Sequence, residues 1–375
     1  MNILIFDDNI TGHHLEYLHH IYQIACSSNN HFFFLINKDF EKEKEKCKWD
    51  KTSNVTFVYL TDSEQKQCEK GNLLLAAYYK SIIIRSYTKV LHIDKVFLIT
   101  FILCMPFLPW LLNRDVGISG ILYRIYLYES QNFKKRLINR IRFSFIVKSH
   151  NIERVFVLND NQAVKELNQS YSTDIFNYLP DPIPSIDKTV LHNIRAEYSI
   201  PQEHKLFLHF GGMTDRKGTL EILDAISLMT CEELTNKTFV FAGRVYKSIR
   251  EVFYEKVRKV SSKVRIIVID GFCSYELINN LCYSCDCLLM PYKQVCQSSG
   301  VLGYAAFFNK PVIGPSEGLI GHIIQNDNLG ETISQITPEL LKRAICKEMP
   351  CVNISYTETH SLYSFINTIA KCWNI

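Results

Sequence analysis

The sequence predicts an α/β protein of two domains, each a parallel sheet covered by helices. Three observations carry this expectation. Apolar runs of strand length alternate with helical patterns along the chain. The alternation pauses at Tyr178-Leu-Pro-Asp-Pro-Ile183 and resumes after Pro184. A length of 375 residues exceeds one ordinary domain and suits two.

In the first half the strand-like runs are Asn2–Phe6, Phe32–Ile36, Val55–Leu60, Lys89–Ile93 and Val155–Leu158. In the second they are Leu206–Phe210, Thr238–Ala242, Val264–Ile269, Cys287–Met290 and Pro311–Ile313. Parallel sheets bind ligands outside the carboxyl ends of their strands, so functional residues are expected just after these runs. Glu41–Lys51 mixes Lys and Glu densely, as a solvated segment does. Glu358–Trp373 places Leu362, Phe365, Ile366, Ile369 and Trp373 on one face of an amphipathic helix.

Composition narrows the function classes. An apolar fraction of 47% supports a sizeable core. A net charge of +4 is too small to argue for nucleic acid. The chain opens on a strand rather than a secretory signal, so its 13 cysteines are expected to be reduced thiols in the cytoplasm. Cys282, Cys285 and Cys287 are clustered, but no second pair or histidine stands nearby at metal spacing. They are expected to be core residues, with no metal and no cofactor.

The most informative stretch is Leu206–Leu220, LFLHFGGMTDRKGTL. A buried strand, a Gly211-Gly212 turn and Arg216-Lys217-Gly218 lead into a helical pattern at Leu220, Leu223, Ala225, Ile226 and Met229. Glycines let the backbone turn sharply beside a ligand. Free N–H groups at a helix mouth favour an anion, and a basic pair there makes a site for a diphosphate.

At these residues the chain resembles the GT-B glycosyltransferases, in particular the retaining "group 1" (family 4) enzymes. The resemblance continues in order through the link Tyr178–Ile183, Phe239-Val-Phe-Ala-Gly-Arg244, Ile269-Asp-Gly271-Phe272, Tyr275–Asp286, Leu288–Tyr292, Ser298-Ser299-Gly300-Val301 and Lys310–Ile313. It covers roughly residues 178–330 well and the first part weakly. It implies two Rossmann-like domains whose parallel sheets face each other across a cleft. Residues 1–182 would bind the acceptor and 183–352 the nucleotide sugar, with 353–375 packing back on the first domain. Lys217 matches the family's phosphate-binding lysine, with Arg216 beside it. Some members carry a further Arg after the first glycine of the turn; Gly212 or Met213 stands there here, and Arg244 is the candidate substitute.

The family usually carries two glutamates eight residues apart where this chain has Cys296 and Tyr304. Neither side chain does a carboxylate's work. The remaining Gln297–Val301 loop offers N–H donors and the hydroxyls of Ser298 and Ser299 to a phosphate, or a cap to the following helix.

In the first domain, Asp7-Asp-Asn-Ile-Thr-Gly-His-His14 follows a strand and precedes a helix. Gly12 fits the family's N-terminal glycine turn, and His13 or His14 is a candidate to meet acceptor or phosphate. Asp94, at the end of the Lys89–Ile93 run, is the candidate acceptor-orienting carboxylate or base, or else a helix cap. Val96–Leu112 is uncharged and apolar, but Pro106 and Pro109 argue against a spanning helix. Residues 80–148 hold 12 Lys/Arg against 3 Asp/Glu, a local excess of +9. With Leu137, Ile138, Ile141 and Phe145 opposite the cations of Phe133–Lys148, this predicts contact with an anionic membrane surface.

The resemblance implies a retaining, metal-independent glycosyltransferase of bacterial surface-polysaccharide biosynthesis, of capsule or lipopolysaccharide type. It would move a sugar from a nucleotide donor to a glycan or lipid-linked acceptor, with no nucleic acid as partner. It would be cytoplasmic and peripheral to the inner face of the membrane. A GT-B sugar-nucleotide epimerase and an inactive sugar-nucleotide-binding subunit share the same diphosphate site and stay open as alternatives.

Overall fold

The computed structural model describes residues 1–10, 13–42, 49, 52–123, 133–184, 186–350, 352 and 355–373, the side chains of 13 and 133–136 excepted. Two compact units emerge: Met1–Pro180 with Tyr363–Ile375, and Asp181–Leu362.

The first unit runs β1 (Asn2–Asp7), α1 (His13–Cys26), β2 (His31–Ile36), β3 (Val55–Tyr59), α2 (Asp62–Cys68), α3 (Leu73–Val90) and β4 (Lys95–Leu98). It continues with α4 (Phe107–Leu111), β5 (Gly117–Leu122), α5 (Phe133–Lys148), β6 (Ile152–Leu158), α6 (Asn161–Tyr171) and β7 (Phe176–Leu179). The strands pair in parallel in the order β3-β2-β1-β4-β5-β6-β7. Central strands buried on both faces read as unbroken apolar runs, which is why β1 and β2 were legible. On one face Ile3 and Ile5 pack with Tyr17, Leu18 and Ile21 of α1 and with the C-terminal Phe365, Ile369 and Trp373. On the other, Leu4 and Phe6 pack with Ile83 and Ile84 of α3 and Phe143 and Ile146 of α5.

The C-terminal helix, Leu362–Ala370, is shorter than the predicted one and is followed by a 3-10 turn, Lys371–Trp373. Trp373 meets Phe32 and Phe97 edge-on, both at 5.3 Å between ring centroids. Such aromatic pairs add about 0.5–1.5 kcal/mol beyond area burial, which favours this docking.

Two expectations for this unit are corrected. Lys89–Ile93 is not a strand: Lys89 and Val90 end the 18-residue helix α3, capped at its start by the Asn72 side chain. The strand is Lys95–Leu98, so Asp94 precedes it, on the amino edge of the sheet, where its Oδ2 accepts from the Asn2 N–H at 2.7 Å. A carboxylate there lies at the wrong end of the strand to serve a carboxyl-edge site. The apolar Val96–Leu112 run is divided among three elements. It enters as β4, turns through a 3-10 segment at Phe101–Cys104 and ends in the short α4. No helix among the described residues is long and apolar enough to cross a membrane.

The second unit runs β8 (Lys205–Phe210), α7 (Thr219–Ser227), α8 (Cys231–Leu234), β9 (Lys237–Ala242), α9 (Arg250–Val260), β10 (Arg265–Ile269) and α10 (Tyr275–Ser284). Then come β11 (Cys287–Leu289), α11 (Gly300–Phe307), β12 (Val312–Pro315), α12 (Gly318–Asn326), β13 (Gly330–Ile333) and α13 (Pro338–Cys346). Its parallel order is β10-β9-β8-β11-β12-β13. The order reverses between β8 and β11, and the carboxyl ends of strands at such a switch point are where ligands bind in open parallel sheets.

Cys282, Cys285 and Cys287 are completely buried. Burial holds all three thiols above their ordinary range, Cys285 at about 12. They behave as small apolar groups in the core.

Candidate functional site

The switch point of the second unit is built from the β8 loop upward. Gly211 leaves β8 with φ +96, and a Cβ placed on it would lie 2.7 Å from the Lys217 Nζ. The positive φ favours glycine, whereas the flexible lysine end can swing away from a Cβ. The loop ends in a 3-10 turn, Asp215–Lys217, closed by Gly218 in the left-handed region, φ 67. A Cβ on Gly218 would fall 2.0 Å from the Pro291 carbonyl oxygen, so the β8 and β11 loops touch backbone to backbone. The Lys293 N–H donates to the Arg216 carbonyl at 2.8 Å and completes the join.

Charge is distributed unevenly over this join. Lys293 is paired with Asp215 at 2.8 Å and Glu221 at 2.5 Å. Lys217 lies over the Tyr292 ring, 5.2 Å from its centroid, and has no carboxylate partner among the described residues. Arg216 is exposed beside it. The Thr214 and Tyr292 hydroxyls are buried here without a hydrogen-bond partner. An unsatisfied buried polar group costs about 1–3 kcal/mol, so both hydroxyls call for a partner such as water or a ligand.

His209 fixes the floor. It is buried in β8, its Nδ1 lies 2.8 Å from the Leu289 carbonyl and its Nε2 3.0 Å from the Thr219 hydroxyl. A carbonyl only accepts, so Nδ1 carries the proton and Nε2 accepts from Thr219. Burial, with the nearby Lys217 charge adding, pushes the imidazole down to about 4 and keeps it neutral. One ring thus ties β8, β11 and the first turn of α7 beneath the lysine.

The neighbouring loops form a second shelf. Gly212 lies under Tyr246, whose ring would sit 3.0 Å from a Cβ there, and Arg244 stacks over the same ring at 5.7 Å. Met213 donates to the Arg244 carbonyl at 2.8 Å and joins the two loops. Asp270, after β10, accepts from the Val245 N–H at 2.9 Å and the Tyr254 hydroxyl at 2.8 Å and pairs with Arg250. The Val245 N–H first among these holds the carboxyl below its usual range. Beyond it, Gly271 has open space around it and Phe272 is 93% exposed.

Ser298, Ser299, Gly300 and Val301 form the start of α11. Ser299 is the N-cap residue but makes no side-chain cap bond. The Ser298 hydroxyl donates to Asp181 at 2.9 Å, so its proton is committed to a carboxylate. Tyr304, where the family has its second glutamate, is buried with its ring edge-on to Phe210 at 5.5 Å. Cys296 is partly buried.

In the first unit, the β1 loop carries a carboxylate–imidazole pair. Asp7 is buried and its Oδ2 accepts from His14 Nδ1 at 2.7 Å. Burial raises the Asp7 carboxyl, and the His14 hydrogen bond opposes it. Lys80, from α3, is 5% exposed and pairs with Asp8 at 2.7 Å. Burial lowers its ammonium, but Asp8 more than offsets this and leaves it raised. His13 stands on the first turn of α1 with its side chain outside the described residues, and Gly12 lies outside them too. At this carboxyl edge the histidine seen beside a carboxylate is therefore His14.

Gly211, Gly212, Arg216, Lys217 and Arg244 are brought together on the β8 and β9 loops, and Tyr304 reaches the end of β8 through Phe210. Asp94 is not brought there. Sequence reasoning missed the roles of His209, Asp7 and Lys80, and had Tyr292 only as the end of the Leu288–Tyr292 stretch. The one available signal was a polar residue interrupting an apolar strand, as His209 does in LFLHF.

No family model and no curated protein sequence matches this chain. Solved structures do. Anabaena HepE in complex with UDP and glucose is 12% identical, with a TM-score of 0.68 over 100% of this chain and 99% of that one. WaaG, a glycosyltransferase involved in lipopolysaccharide biosynthesis, is 16% identical, with a TM-score of 0.65 over 99% of both. An α,α-trehalose-phosphate synthase (UDP-forming) from Burkholderia xenovorans is 9% identical, with a TM-score of 0.69 over the whole of both chains. The chain has the fold of these proteins, GT-B, with its two Rossmann-like units.

Proposed function

We propose that this protein is a glycosyltransferase that takes its sugar from a nucleoside-diphosphate donor, a UDP-sugar in the first instance. The observation that carries the reading is Lys217, a cation without a carboxylate partner among the described residues, at the switch point of the second sheet. HepE with UDP and glucose, and the UDP-forming synthase, share this fold, which favours uridine as the base.

In this reading the bond between the anomeric carbon and the diphosphate oxygen breaks, and the electron pair stays on the phosphate. Lys217 and Arg216 meet that charge, and the free N–H groups of Gly300 and Val301 at the start of α11 offer further donors. Because the charge grows as the bond breaks, these cations favour the transition state over the ground state. The acceptor oxygen bonds the same face of the sugar and gives its proton to the departing phosphate. The configuration is then retained and the protein needs no metal. Phe272 and Tyr246 offer exposed rings to the nucleoside, and Arg244 a third cation to the diphosphate. His14, oriented by Asp7, meets the acceptor hydroxyl in the first unit.

The acceptor is a glycan or a lipid-linked glycan of a bacterial surface polysaccharide, capsule or lipopolysaccharide. The protein works in the cytoplasm at an anionic membrane face. WaaG's involvement in lipopolysaccharide biosynthesis and the basic stretch of the first unit support this. Residues 1–182 serve the acceptor and 183–352 the donor.

A panel of nucleotide sugars tests the reading by calorimetry and by release of the nucleoside diphosphate. A donor at 100 times its Kd should add about 2.7 kcal/mol of stability. Failure of every nucleoside diphosphate to bind would overturn the proposal. Binding without turnover would favour the inactive subunit, which Tyr304 and Cys296 in place of carboxylates already suggest. Conversion of the donor sugar without transfer would favour the epimerase.

A further inference from the structure

Helix α5 has two apolar faces, and the core covers one of them. Phe143 and Ile146 are fully buried, while Leu137, Ile138 and Ile141 are 48%, 55% and 62% exposed. Spacings of three and four residues carry this second face on to Phe145 and Lys148. Trp110 of α4 packs edge-on against Phe145 at 5.0 Å and is itself 71% exposed. The other two tryptophans, Trp49 and Trp373, are buried. An exposed Trp leading a row of exposed aliphatic residues is costly in water and favourable where acyl chains meet headgroups.

At the foot of this row lies a surface cavity of about 550 Å³, bounded by Trp110, Phe145, Arg114, Lys148 and His150. A neighbouring cavity of about 280 Å³, bounded by Arg85, Lys89 and His92, shares Leu112 with it. Arg114 precedes β5 and Lys148 precedes β6, so both cavities open on the amino edge of the sheet, the end opposite the β1 loop. Of the nearby carboxylates, Asp94 accepts from the Asn2 N–H and Glu153 is paired with Lys95. Among the described residues neither cavity is lined by a carboxylate, while Arg85, Lys89, Arg114 and Lys148 line the two.

We infer that this edge seats the protein on an anionic bilayer: Trp110, Leu137, Ile138 and Ile141 enter the interface, and the Arg114–Lys148–His150 cavity takes one phospholipid phosphate. The inference rests on the reading of the first unit as the acceptor side at a membrane, and adds the contact face and a phosphate site. Apolar burial and cation–phosphate attraction act together, as they must where either alone gives weak, reversible binding. Placing the contact at the amino edge leaves the β1 loop, with Asp7 and His14, free of lipid.

The test uses the full chain with vesicles of phosphatidylcholine, alone or mixed with phosphatidylglycerol. Binding should need phosphatidylglycerol and weaken as salt rises, since ions screen over roughly 10 Å at 0.1 M. Insertion should shift the Trp110 emission to the blue, an effect lost in Trp110→Phe. Arg114→Gln with Lys148→Gln should weaken binding by about fivefold per cation, about twenty-five-fold together. Ile138→Ser with Ile141→Ser should weaken it with the circular dichroism unchanged. Equal binding to neutral vesicles, no emission shift, or full affinity in the double-Gln variant would overturn the inference. So would saturation by glycerol phosphate in a protein that ignores vesicles, which marks a soluble-phosphate site. UDP-glucose binding, followed in the same samples, reports separately on the donor site, since all of these substitutions lie in the first unit.

Discussion

The imidazole of His209 donates to the carbonyl of Leu289 at 2.8 Å and so bridges the two strands between which the second sheet reverses its order. The loops above that bridge carry Lys217 and Tyr292, and their contact depends on the bridge holding its shape.

The ring should make stability pH-dependent. Its pKa is depressed from the ordinary 6.5 to about 4 by burial. The unfolded chain therefore binds the extra proton first, so the contribution is complete above about pH 6.5 and is lost as pH falls toward about 4. It should be worth up to about 3 kcal/mol across that window. His20 and His360, also held at about 4 by burial, add in the same direction. Unfolding free energies between pH 7 and 4 should show the decline, with a shallower slope in His209→Gln.

Removing the unpaired cation should separate chemistry from folding. Lys217→Ala is expected to cut turnover about a hundredfold or more. The melting temperature should change little, because the ammonium satisfies no buried carboxylate. Steady-state rates with a saturating donor decide this, and full activity in the variant removes Lys217 from its assigned role.

Gly218→Ala should be severe. The residue has φ 67, and the new Cβ would lie 2.0 Å from the Pro291 carbonyl oxygen. Left-handed strain alone costs about 1–2 kcal/mol, and the clash forces the β8 and β11 loops apart. Chemical denaturation should show a loss above about 2 kcal/mol, with donor affinity falling too.

The two units should respond differently to substitution. His14→Ala is expected to lower turnover while leaving the Kd for the nucleoside diphosphate unchanged, because the imidazole is held by Asp7 in the first unit. Calorimetry beside a rate assay checks this. A weakened Kd in His14→Ala would place the residue on the donor instead.

Thiol reactivity should follow burial. Cys26, Cys231 and Cys346 are exposed, whereas Cys282, Cys285 and Cys287 are buried with raised pKa values. Alkylation of the folded protein followed by peptide mapping should label the first group and spare the second.

The sequence by itself determined the two parallel sheets and the glycine–basic loop. Unbroken apolar runs such as FVFA of β9 arise because a central strand is covered on both faces, and that requirement is written in consecutive residues. Strands with weaker patterns were not legible: GISGIL of β5 carries two glycines, and β4 hid within the apolar Val96–Leu112. Its true start after Asp94 was settled by the α3 helix ending at Val90 and by strand pairing with β1, and that moved Asp94 to the opposite edge. Tertiary structure alone decided that Lys217 lies over Tyr292, that His209 joins three elements and that Asp7 holds His14. Each pairing spans loops whose approach is set by strand order, and no local periodicity encodes which distant loop a side chain will meet.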